Sequence, residues 1–352
     1  MIAVIADDLS GAAELAGAAL RHGLTAEVQL AFAPGVGADV VCLTTESRSL
    51  AAEDAARRVA EVTRAVMATR PRWIFKKCDS VLRGPVMAEA RAVAQAAGKS
   101  RIVILAANPS RQRIVREGNY FIGGVPLAET GFARDPEHPR RSSRVADLLG
   151  GDLTGVATPD ATTTSDPFGQ AGAIDDATLP VGGVDFFTAL LAVRCARRPE
   201  RGESVDPAGP VLAVCGSAAA WDQRREQAAA LGVPAFSLPP DAAAIDRALR
   251  EAGRALVGIG SGPAVGGQRP EQLLARLATA LGEVIGRGAV RSLLLEGGAT
   301  AAAIVSAAGW SRLSVLAAPA PGVTALRPVG AGGPLLFIKP GSYDWPAALW
   351  PG

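Results

Sequence analysis

The sequence predicts an α/β protein with two domains, each built on a largely parallel sheet flanked by helices. Short apolar runs alternate with Ala-rich amphipathic segments, a pattern typical of parallel α/β units. The length of 352 residues is sufficient for two domains. One charged segment with Pro and Gly but no apolar periodicity, residues 196–209, interrupts the alternation and is interpreted as a linker.

The first half of the chain contains five predicted strands and four predicted helices. The strands are Ile2–Ala6, Ala26–Leu30, Val40–Leu43, Trp73–Phe75 and Ile102–Leu105. The helices are Gly11–Arg21, Ala51–Ala68, Pro85–Ala97 and Val184–Cys195. Residues 107–182 are predicted to be irregular except for one hairpin-like piece, GNYFIGGVPL. An irregular region of this length inside a compact domain is usually functional.

The alternation of strands and helices starts again after the linker. The predicted strands of the second half are Val211–Cys215, Ala255–Ile259 and Ser292–Leu295. The predicted helices are Ala218–Leu231, Pro270–Ile285 and Thr300–Ala308. We therefore expect a first domain over residues 1–198 and a second over residues 208–352.

The composition argues against several classes of protein. A net charge of +2 and few aromatic residues do not favour nucleic-acid binding. The chain has no apolar run of membrane-spanning length and no pattern of a secretion signal, so we expect a cytoplasmic protein without a membrane partner. Four scattered cysteines and two histidines do not favour a structural zinc site, a disulfide framework or a His-based triad.

Two adjacent acids, Asp7 and Asp8, follow the first predicted strand in the segment ADDLSG. In open α/β sheets, ligands bind outside the carboxyl ends of the strands. Asp8 or Ser10 can cap the helix that follows. Asp7 has no such structural role and stands where a ligand would lie. The alternative is that both acids only cap the helix and solvate a turn.

A second polar loop, KKCDSVLRGPVMAE, follows the fourth predicted strand. It contains Lys76, Lys77, Asp79, Ser80 and Arg83 just before a helix that Pro85 marks. Two of the four lysines of this arginine-rich chain lie in the loop, which indicates that a compact ammonium group is required there. The alternative is that the two lysines cluster by chance.

The two loops together suit a small anionic polyhydroxy acid. Carboxylates accept hydrogen bonds from hydroxyl groups, and arginine can bind a carboxylate with two parallel hydrogen bonds. Arg48, in the turn after the third predicted strand, could add another cation.

The second half has three segments in which a strand is followed by Gly or Ser. They are VCGSAAA (214–220), GIGSGPAVGG (258–267) and LLLEGGATAAAI (293–304). Free backbone N–H groups at the start of a helix suit phosphate, so the three segments together favour a nucleotide site, although Gly-rich turns also make tight corners. The sequence has no GxxxxGK[ST] motif and no properly placed GxGxxG motif.

Several of these segments resemble one known family. IADDLSGAAELA resembles the IADDxTGAxDxA opening of the four-carbon acid sugar kinases, and KKCDSVLRGPVMAE is similar to their KxDSTLRGNxxxE segment. The stretch from ANPSRQR to GFARDP is similar to their central loop. CGS, EGGAT and KPG resemble the GS, GGET and KSG segments in the same order, so the resemblance covers most of the chain.

The resemblance implies an ATP-dependent kinase for a sugar acid such as threonate, erythronate or an oxo-tetronate, with Mg²⁺ and an active site in the cleft between two domains. Residues 1–198 would bind the acid and residues 208–352 the nucleotide. The residues facing the acid would be Asp7, Asp8, Lys77, Asp79 and Arg83. The residues along the nucleotide would be Ser217, Gly297, Gly298, Ala299, Thr300 and Gly341. Asp8 would act as the catalytic base, with Asp79 as its rival; the resemblance identifies no metal ligand.

The chain departs from the family pattern at three positions near the nucleotide. Ala299 replaces a Glu, Glu296 stands where a small residue is usual, and Pro340 removes a backbone N–H donor. The alternatives to a kinase are a non-catalytic sugar-acid or nucleotide sensor on the same fold and an unrelated α/β enzyme such as a dehydrogenase. The sequence does not determine which acid is bound. A homodimer is one of the assemblies that the chain could form.

Overall fold

The structure is a computed structural model that describes residues 1–35, 37–135, 137–200, 205–207, 209–261, 267–330 and 332–350. Its helices are α1 (Leu9–Arg21), α2 (Ala52–Met67), α3 (Val86–Ala96), α4 (Val145–Leu148), α5 (Asp166–Ala173), α6 (Val184–Arg194), α7 (Ala218–Ala230), α8 (Ala242–Ala252), α9 (Pro270–Gly286) and α10 (Gly298–Ala307). Its strands are β1 (Ile2–Ala6), β2 (Ala26–Gln29), β3 (Val40–Thr44), β4 (Ile74–Lys77), β5 (Arg101–Leu105), β6 (Arg113–Arg116), β7 (Asn119–Ile122), β8 (Val125–Pro126), β9 (Val156–Ala157), β10 (Thr178–Gly182), β11 (Val211–Cys215), β12 (Ala235–Ser237), β13 (Arg254–Gly258), β14 (Ser292–Glu296), β15 (Arg312–Ala320), β16 (Val323–Pro328) and β17 (Leu335–Lys339). The predicted α/β class is confirmed.

The chain divides into two compact units. The first comprises Met1–Ala26 and Phe32–Arg201, and the second comprises Glu27–Ala31 and Gly202–Gly352. Residues 27–31 group with the second unit, and the domain limits of 1–198 and 208–352 stay a prediction. The predicted linker lies partly outside the described residues.

The first unit contains a parallel sheet with the strand order β3-β1-β4-β10-β5-β9. All residues of β1, β3, β4 and β10 are buried, as expected of parallel strands covered on both faces. Helices α2 and α3 pack on each other, and α6 packs on α1 and α5. The ring of Phe75 lies 5.2 Å from the ring of Phe187, so β4 is packed on α6 by aromatic contact.

Strands β9 and β10 of this sheet were not predicted, because both lie inside the segment expected to be irregular. Strand β10 lies between β4 and β5. Its sequence, TLPVG, contains Pro180 and Gly182, residue types that argue against a central strand. Burial explains why it forms nonetheless, since all five residues are buried between β4 and β5. A Cβ atom at Gly182 would lie 2.1 Å from the carbonyl oxygen of Leu105, so only glycine allows this close approach.

The hairpin-like piece in the same segment is confirmed. Strands β7 and β8 pair in antiparallel orientation around Gly123 and Gly124, whose φ angles are 57° and 83°. Two positive φ angles in a two-residue turn match the twist of the flanking strands. Together with β6, these strands form a separate three-stranded sheet.

The second unit contains a mixed sheet. Strands β12, β13, β11, β14 and β17 are parallel in that order, and β16, β15 and β2 continue the sheet in antiparallel orientation. The three predicted strands of this half are present as β11, β13 and β14. The sequence patterns missed β12, α8 and the three C-terminal strands.

In the part of the chain that the structure describes, no helix is both long enough and apolar enough to cross a membrane.

Candidate functional site

The carboxyl ends of three adjacent parallel strands bring the predicted acid-binding residues of the first unit together. Ala6 at the end of β1 is level with Thr44 of β3 on one side and with Lys77 of β4 on the other. The strand order changes direction at β1, and ligands of open α/β sheets bind at such a point. The side chains that follow these strand ends form the candidate site. They are Asp7, Asp8, Glu46, Arg48, Asp79 and Arg83.

Asp8 is the N-terminal cap of α1. Its Oδ1 accepts a hydrogen bond from the backbone N–H of Gly11 at 2.8 Å, and its Oδ2 accepts one from the hydroxyl of Ser10 at 2.7 Å. This arrangement satisfies one of the free N–H groups at the start of the helix. The capping role predicted for Asp8 is confirmed, and the carboxylate is held in one orientation.

Arg48 lies among three buried carboxylates. Its Nε is 2.7 Å from Oδ2 of Asp7, and its Nη1 is 3.0 Å from Oδ2 of Asp8 and 3.7 Å from Oδ1 of Asp79. Burial opposes the charge of the guanidinium, but the three carboxylates raise the pKa of Arg48 well above its usual value. A Cβ atom at Gly84 would lie 2.7 Å from the carbonyl oxygen of Arg48, so the KKCDSVLRG loop closely approaches the backbone of Arg48.

Asp7 has one carboxylate oxygen that is paired and one that is not. Oδ2 binds Arg48, whereas the buried Oδ1 has no hydrogen-bond partner among the described residues. Burial would raise the pKa of Asp7, but the charges of Arg48 and Lys76 lower it below its usual value. A buried ionised oxygen without a partner is costly, so this atom is suited to accept a hydrogen bond from a ligand hydroxyl.

Asp79 and Arg83 form a bidentate pair. Nε and Nη2 of Arg83 lie 3.0 Å and 2.8 Å from the two oxygens of Asp79, and Oδ2 also accepts the backbone N–H groups of Val81 and Arg83 at 3.1 Å each. Burial opposes ionisation, but Arg83 and Arg48 hold the pKa of Asp79 well below its usual value. The remaining nitrogen of Arg83 binds Asp135 at 3.0 Å.

The two lysines at the end of β4 differ in their partners. Nζ of Lys76 binds Glu89 at 2.7 Å, and both side chains are only 1% exposed, so Lys76 serves an internal ion pair. Nζ of Lys77 donates to the carbonyl oxygen of Cys78 at 2.8 Å and lies 3.9 Å from Glu14. A Cβ atom at Gly11 would lie 3.2 Å from Nζ of Lys77, so the ammonium lies at the start of α1.

Glu46 is a site residue that the sequence analysis missed. It follows β3 with a φ of 45°, a left-handed conformation that non-glycine residues rarely adopt. Burial, and next the charge of Asp8, raise the pKa of Glu46 to about 8. The available signal was the position of an acid directly after a strand that pairs with β1, but the left-handed backbone could not be read from the sequence.

The central loop contributes an aromatic ring and further cations to the first unit. The guanidinium groups of Arg83 and Arg113 lie 5.5 Å and 5.9 Å from the ring centre of Phe132. Asp135 accepts the backbone N–H of His138 at 2.8 Å, which orders the loop beside Arg83. The central loop therefore contacts the Asp79–Arg83 pair, and the functional role predicted for this region stays a prediction.

The predicted nucleotide residues of the second unit also follow adjacent parallel strands. Cys215 of β11, Glu296 of β14 and Lys339 of β17 are level with one another at their strand ends. Ser217, the Gly297–Gly298 pair and Gly341 therefore follow the same edge of the sheet. A Cβ atom at Gly216 would lie 2.0 Å from Oγ1 of Thr300, so the CGS and GGAT segments are in direct contact.

The start of α10 fits an anion. Gly297 has a φ of 90° and no side chain with which to cap the helix, and the first turn contains no acidic residue. The backbone N–H of Ala301 bonds to the carbonyl oxygen of Gly297, so the N–H groups of Gly298, Ala299 and Thr300 precede the first intrahelical bond. These N–H groups and the helix dipole suit a phosphate group.

The other predicted nucleotide residues have different local roles. Ser217 caps α7 by accepting the backbone N–H of Ala220 at 3.3 Å. Ala299 and Gly341 are exposed, and a Cβ atom at Gly341 would meet no atom within 4 Å. In GIGSGPAVGG, Gly258 packs against Trp221, whereas residues 262–266 lie outside the described residues.

Glu296, one of the departures from the family pattern, is fully paired. Its two oxygens lie 2.9 Å and 3.0 Å from Nε and Nη2 of Arg224, and Oε1 lies 3.1 Å from Nζ of Lys339. Burial would raise the pKa of Glu296, but these cations lower it below its usual value. Its charge is therefore neutralised before any phosphate is bound.

Among the described residues, no group of three or more His, Cys, Asp and Glu side chains is arranged to hold a metal ion. Mg²⁺ is commonly bound by one or two carboxylates together with substrate phosphates, so this finding leaves a nucleotide-borne ion compatible with the site.

Residues 2–179 match a protein family described as a sugar-binding N-terminal domain. A D-threonate kinase of Salmonella typhimurium is 38% identical over 149 residues, which cover 42% of this chain and 35% of that protein. A D-threonate kinase of Cupriavidus necator is 30% identical over 408 residues, which cover 99% of this chain and 96% of that protein. A 3-oxo-tetronate kinase of Methylobacterium radiotolerans is 28% identical and covers 96% of this chain and 95% of that protein. The match thus spans about a third of the Salmonella relative and nearly all of the other two.

Two crystal structures resemble the whole chain. A protein of Salmonella typhimurium LT2 has a TM-score of 0.74 at 20% identity, with 97% of this chain and 96% of that chain covered. A protein of Bordetella bronchiseptica, crystallised with bound citrate as a domain-swapped dimer, has a TM-score of 0.51 at 26% identity, with 97% and 95% covered. The first likeness supports the fold alone.

Proposed function

The chain belongs to the four-carbon acid sugar kinase family, and we propose that it phosphorylates a hydroxyl group of a small sugar acid, with ATP as the phosphoryl donor. The observation that carries this proposal is the group of three buried carboxylates around Arg48, in which Oδ1 of Asp7 has no partner. Such a group offers acceptors for hydroxyl groups beside cations for a carboxylate, which is the chemistry of a polyhydroxy acid.

The first unit is proposed to bind the acid. Oδ1 of Asp7 would accept a hydrogen bond from a substrate hydroxyl, and Lys77, at the start of α1, would attract the substrate carboxylate. Asp8 and Asp79 are the predicted catalytic residues. The carboxylate of Asp8 is held by the backbone N–H of Gly11, and that of Asp79 is held by the guanidinium group of Arg83. Both carboxylates are therefore suited to orient the substrate. Arg48 and Arg83 would keep Asp79 ionised, because their charges hold its pKa well below its usual value.

The second unit is proposed to bind the nucleotide. The backbone N–H groups of Gly298, Ala299 and Thr300 would hold phosphate oxygens at the start of α10. Ser217 and Gly341 follow neighbouring strand ends and would contact the same nucleotide. Mg²⁺ would arrive with the nucleotide and offset the charge that develops during transfer. The location of transfer in a cleft between two domains stays a prediction.

The names of the relatives support one class of substrate, the four-carbon sugar acids. Threonate, erythronate and 3-oxo-tetronate kinases occur among the relatives, and the Bordetella protein carries citrate, a small carboxylic acid. We propose a four-carbon acid for this chain on that basis. The domain-swapped dimer of the Bordetella protein also supports the proposal of a homodimer, which size-exclusion chromatography with light scattering would test.

The proposed function is tested by ADP release from Mg-ATP in the presence of D- and L-threonate, D- and L-erythronate, and the 2- and 3-oxo-tetronates. Turnover with one of these acids is expected and would identify the substrate. Binding of an acid and ATP without ADP release would instead favour the sensor function. Absence of binding to any of these acids would contradict the proposed substrate class.

Asp8→Asn gives a sharper test of the acid site. We expect this variant to lose turnover while ATP affinity, measured by calorimetry, stays unchanged, because Asn cannot hold the charge that Arg48 binds. Asp54→Asn is the matched control, since Asp54 is an exposed acid near the start of α2. Unchanged turnover of Asp8→Asn would contradict the assignment of Asp8 to the site.

A further inference from the structure

We propose that Glu46, rather than Asp8 or Asp79, accepts the proton of the substrate hydroxyl during phosphoryl transfer. This inference rests on the proposed kinase function and concerns one step of it. The acids of the candidate site differ in whether their oxygens already have hydrogen-bond partners and in how readily they take up a proton.

The oxygens of Asp8 and Asp79 are already used. Oδ1 of Asp8 accepts the N–H of Gly11, and its Oδ2 binds Ser10 and Arg48. Both oxygens of Asp79 lie in the fork of Arg83, and one of them also accepts two backbone N–H groups. Each carboxylate would have to give up these bonds to take a proton, because a protonated oxygen loses its acceptor role there.

Asp7 has a free oxygen but is a weak proton acceptor. The positive charges of Arg48 and Lys76 outweigh the effect of burial and lower the pKa of Asp7. A carboxylate whose charged form is stabilised in this way can bind a hydroxyl group but has little tendency to take its proton. Asp7 is therefore suited to hold the hydroxyl in place.

Glu46 lies close after the end of β3, beside the turn that follows β1, since Thr44 and Ala6 are the last register partners of the two strands. The backbone N–H of Thr45 bonds to the carbonyl oxygen of Ala6 at 2.9 Å, and that of Ser47 bonds to the carbonyl oxygen of Asp7 at 3.0 Å. The turn that carries Glu46 is therefore joined by backbone hydrogen bonds to the segment that carries Asp7 and Asp8.

The backbone and exposure of Glu46 also distinguish it from the three aspartates. Its φ of 45° is a conformation that costs free energy in a non-glycine residue and is concentrated at functional sites. Its side chain is half-buried, whereas Asp7, Asp8 and Asp79 are almost fully buried. One oxygen of the Glu46 carboxyl group accepts a hydrogen bond from the hydroxyl of Thr44.

The charged groups around Glu46 determine its proton affinity. Burial raises its pKa most, Asp8 and Asp7 raise it further, and the Thr44 hydroxyl and Arg48 lower it, with a result of about 8. From α2, Nη1 of Arg58 donates to the backbone carbonyl oxygens of Glu46 at 3.4 Å and of Thr45 at 3.2 Å. An acceptor with a pKa near the working pH both takes up and releases protons efficiently.

The substrate O–H bond breaks while the new O–P bond forms, and the proton passes to the Glu46 carboxylate. The P–O bond to the leaving nucleoside diphosphate breaks and its electron pair leaves with the diphosphate. Glu46 then returns the proton to solvent. Since only ionised Glu46 can accept a proton, kcat should rise with pH and level off near pH 8.

The test is the pH profile of kcat for Glu46→Gln and wild-type protein, with the acid that the ADP-release assay identifies. We expect a loss of about 100-fold in kcat, typical of a missing general base, a flat profile between about pH 6 and 9, and little change in acid affinity. Glu53→Gln, an exposed acid at the start of α2, is the control and should keep the wild-type profile.

Two results would overturn the inference in distinguishable ways. Wild-type turnover with an unchanged kcat and the same rising limb in Glu46→Gln would reject Glu46 as the proton acceptor and leave the kinase function standing. Absence of ADP release by the wild-type protein with every acid would reject the proposed function and, with it, this inference. Loss of acid affinity without loss of kcat would also reject it, because it would assign Glu46 a binding role only.

Discussion

The two candidate binding edges are built from different parts of the polypeptide. At the edge of the first unit, charged side chains form the candidate site, and Arg48 contacts Asp7 and Asp8 and approaches Asp79. At the edge of the second unit, the candidate groups are backbone N–H groups, and the segment around Gly297 has no capping side chain. In the proposed function, side chains would therefore bind hydroxyl and carboxylate groups, and the start of a helix would bind phosphate. Substitutions should therefore affect the two edges in different ways.

The largest effect is expected for Arg48→Ala. This variant leaves three buried carboxylates without their shared cation, which should lower kcat/KM by about 1,000-fold and the free energy of unfolding by about 3 kcal/mol. Steady-state kinetics and urea unfolding measure the two quantities. Arg57→Ala, which removes only an exposed pair with Asp54, is the control and should change stability by less than about 0.5 kcal/mol. Equal effects of the two variants would contradict the central role of Arg48.

An intermediate effect is expected for Gly297→Ala. The φ of 90° and ψ of 144° at Gly297 are nearly restricted to glycine, so alanine should cost about 1–2 kcal/mol and displace the start of α10. Nucleotide affinity should fall by about tenfold, and the affinity for the acid should stay unchanged, as calorimetry with each ligand would measure. Gly282→Ala, inside α9 with open space around it, is the control. A loss of acid affinity instead would contradict the division of roles between the edges.

A further effect is expected in the pH dependence of stability. The pKa of Glu46 is raised in the folded protein to about 8 from an ordinary value of 4.5, so the folded state disfavours its ionisation. The loss of folding stability that results from ionising Glu46 is absent below about pH 4.5, grows as the pH rises, and is complete above about pH 8. The stability of Glu46→Gln should therefore increase relative to wild type between pH 5 and 8. Parallel melting temperatures of the two proteins across this range would contradict a raised pKa.

The sequence predicted most of the first edge because its chemistry is carried by side chains. The acids of ADDLSG and the cations of KKCDSVLRG stand directly after strands, and parallel strands bring their ends together. The family predicted from these segments is confirmed by a full-length relative at 30% identity. Glu46 was missed because its importance depends on a left-handed backbone and on desolvation, which are properties of the folded chain.

The fold was predicted where apolar periodicity is regular and missed where tertiary packing overrides it. Strand β10 forms despite Pro180 and Gly182 because it is buried between two neighbours. Strands β15 and β16 were missed, although their antiparallel pairing extends the second sheet. The pairing of Glu296 with Arg224 and Lys339 could not be read from spacing either, since the three residues lie on separate elements.

Strand β2 limits how the gene could be divided or recombined. Residues 27–31 are encoded in the first tenth of the chain but group with the second unit, where β2 pairs with β15 and Glu27 binds Arg312 through both carboxylate oxygens. A fragment that starts after the linker would lack this strand and would leave β15 as an unpaired edge prone to aggregation. Exchange of halves between relatives would likewise join a β2 from one ancestor to a β15 from another. Selection should therefore have kept these two distant stretches of sequence together.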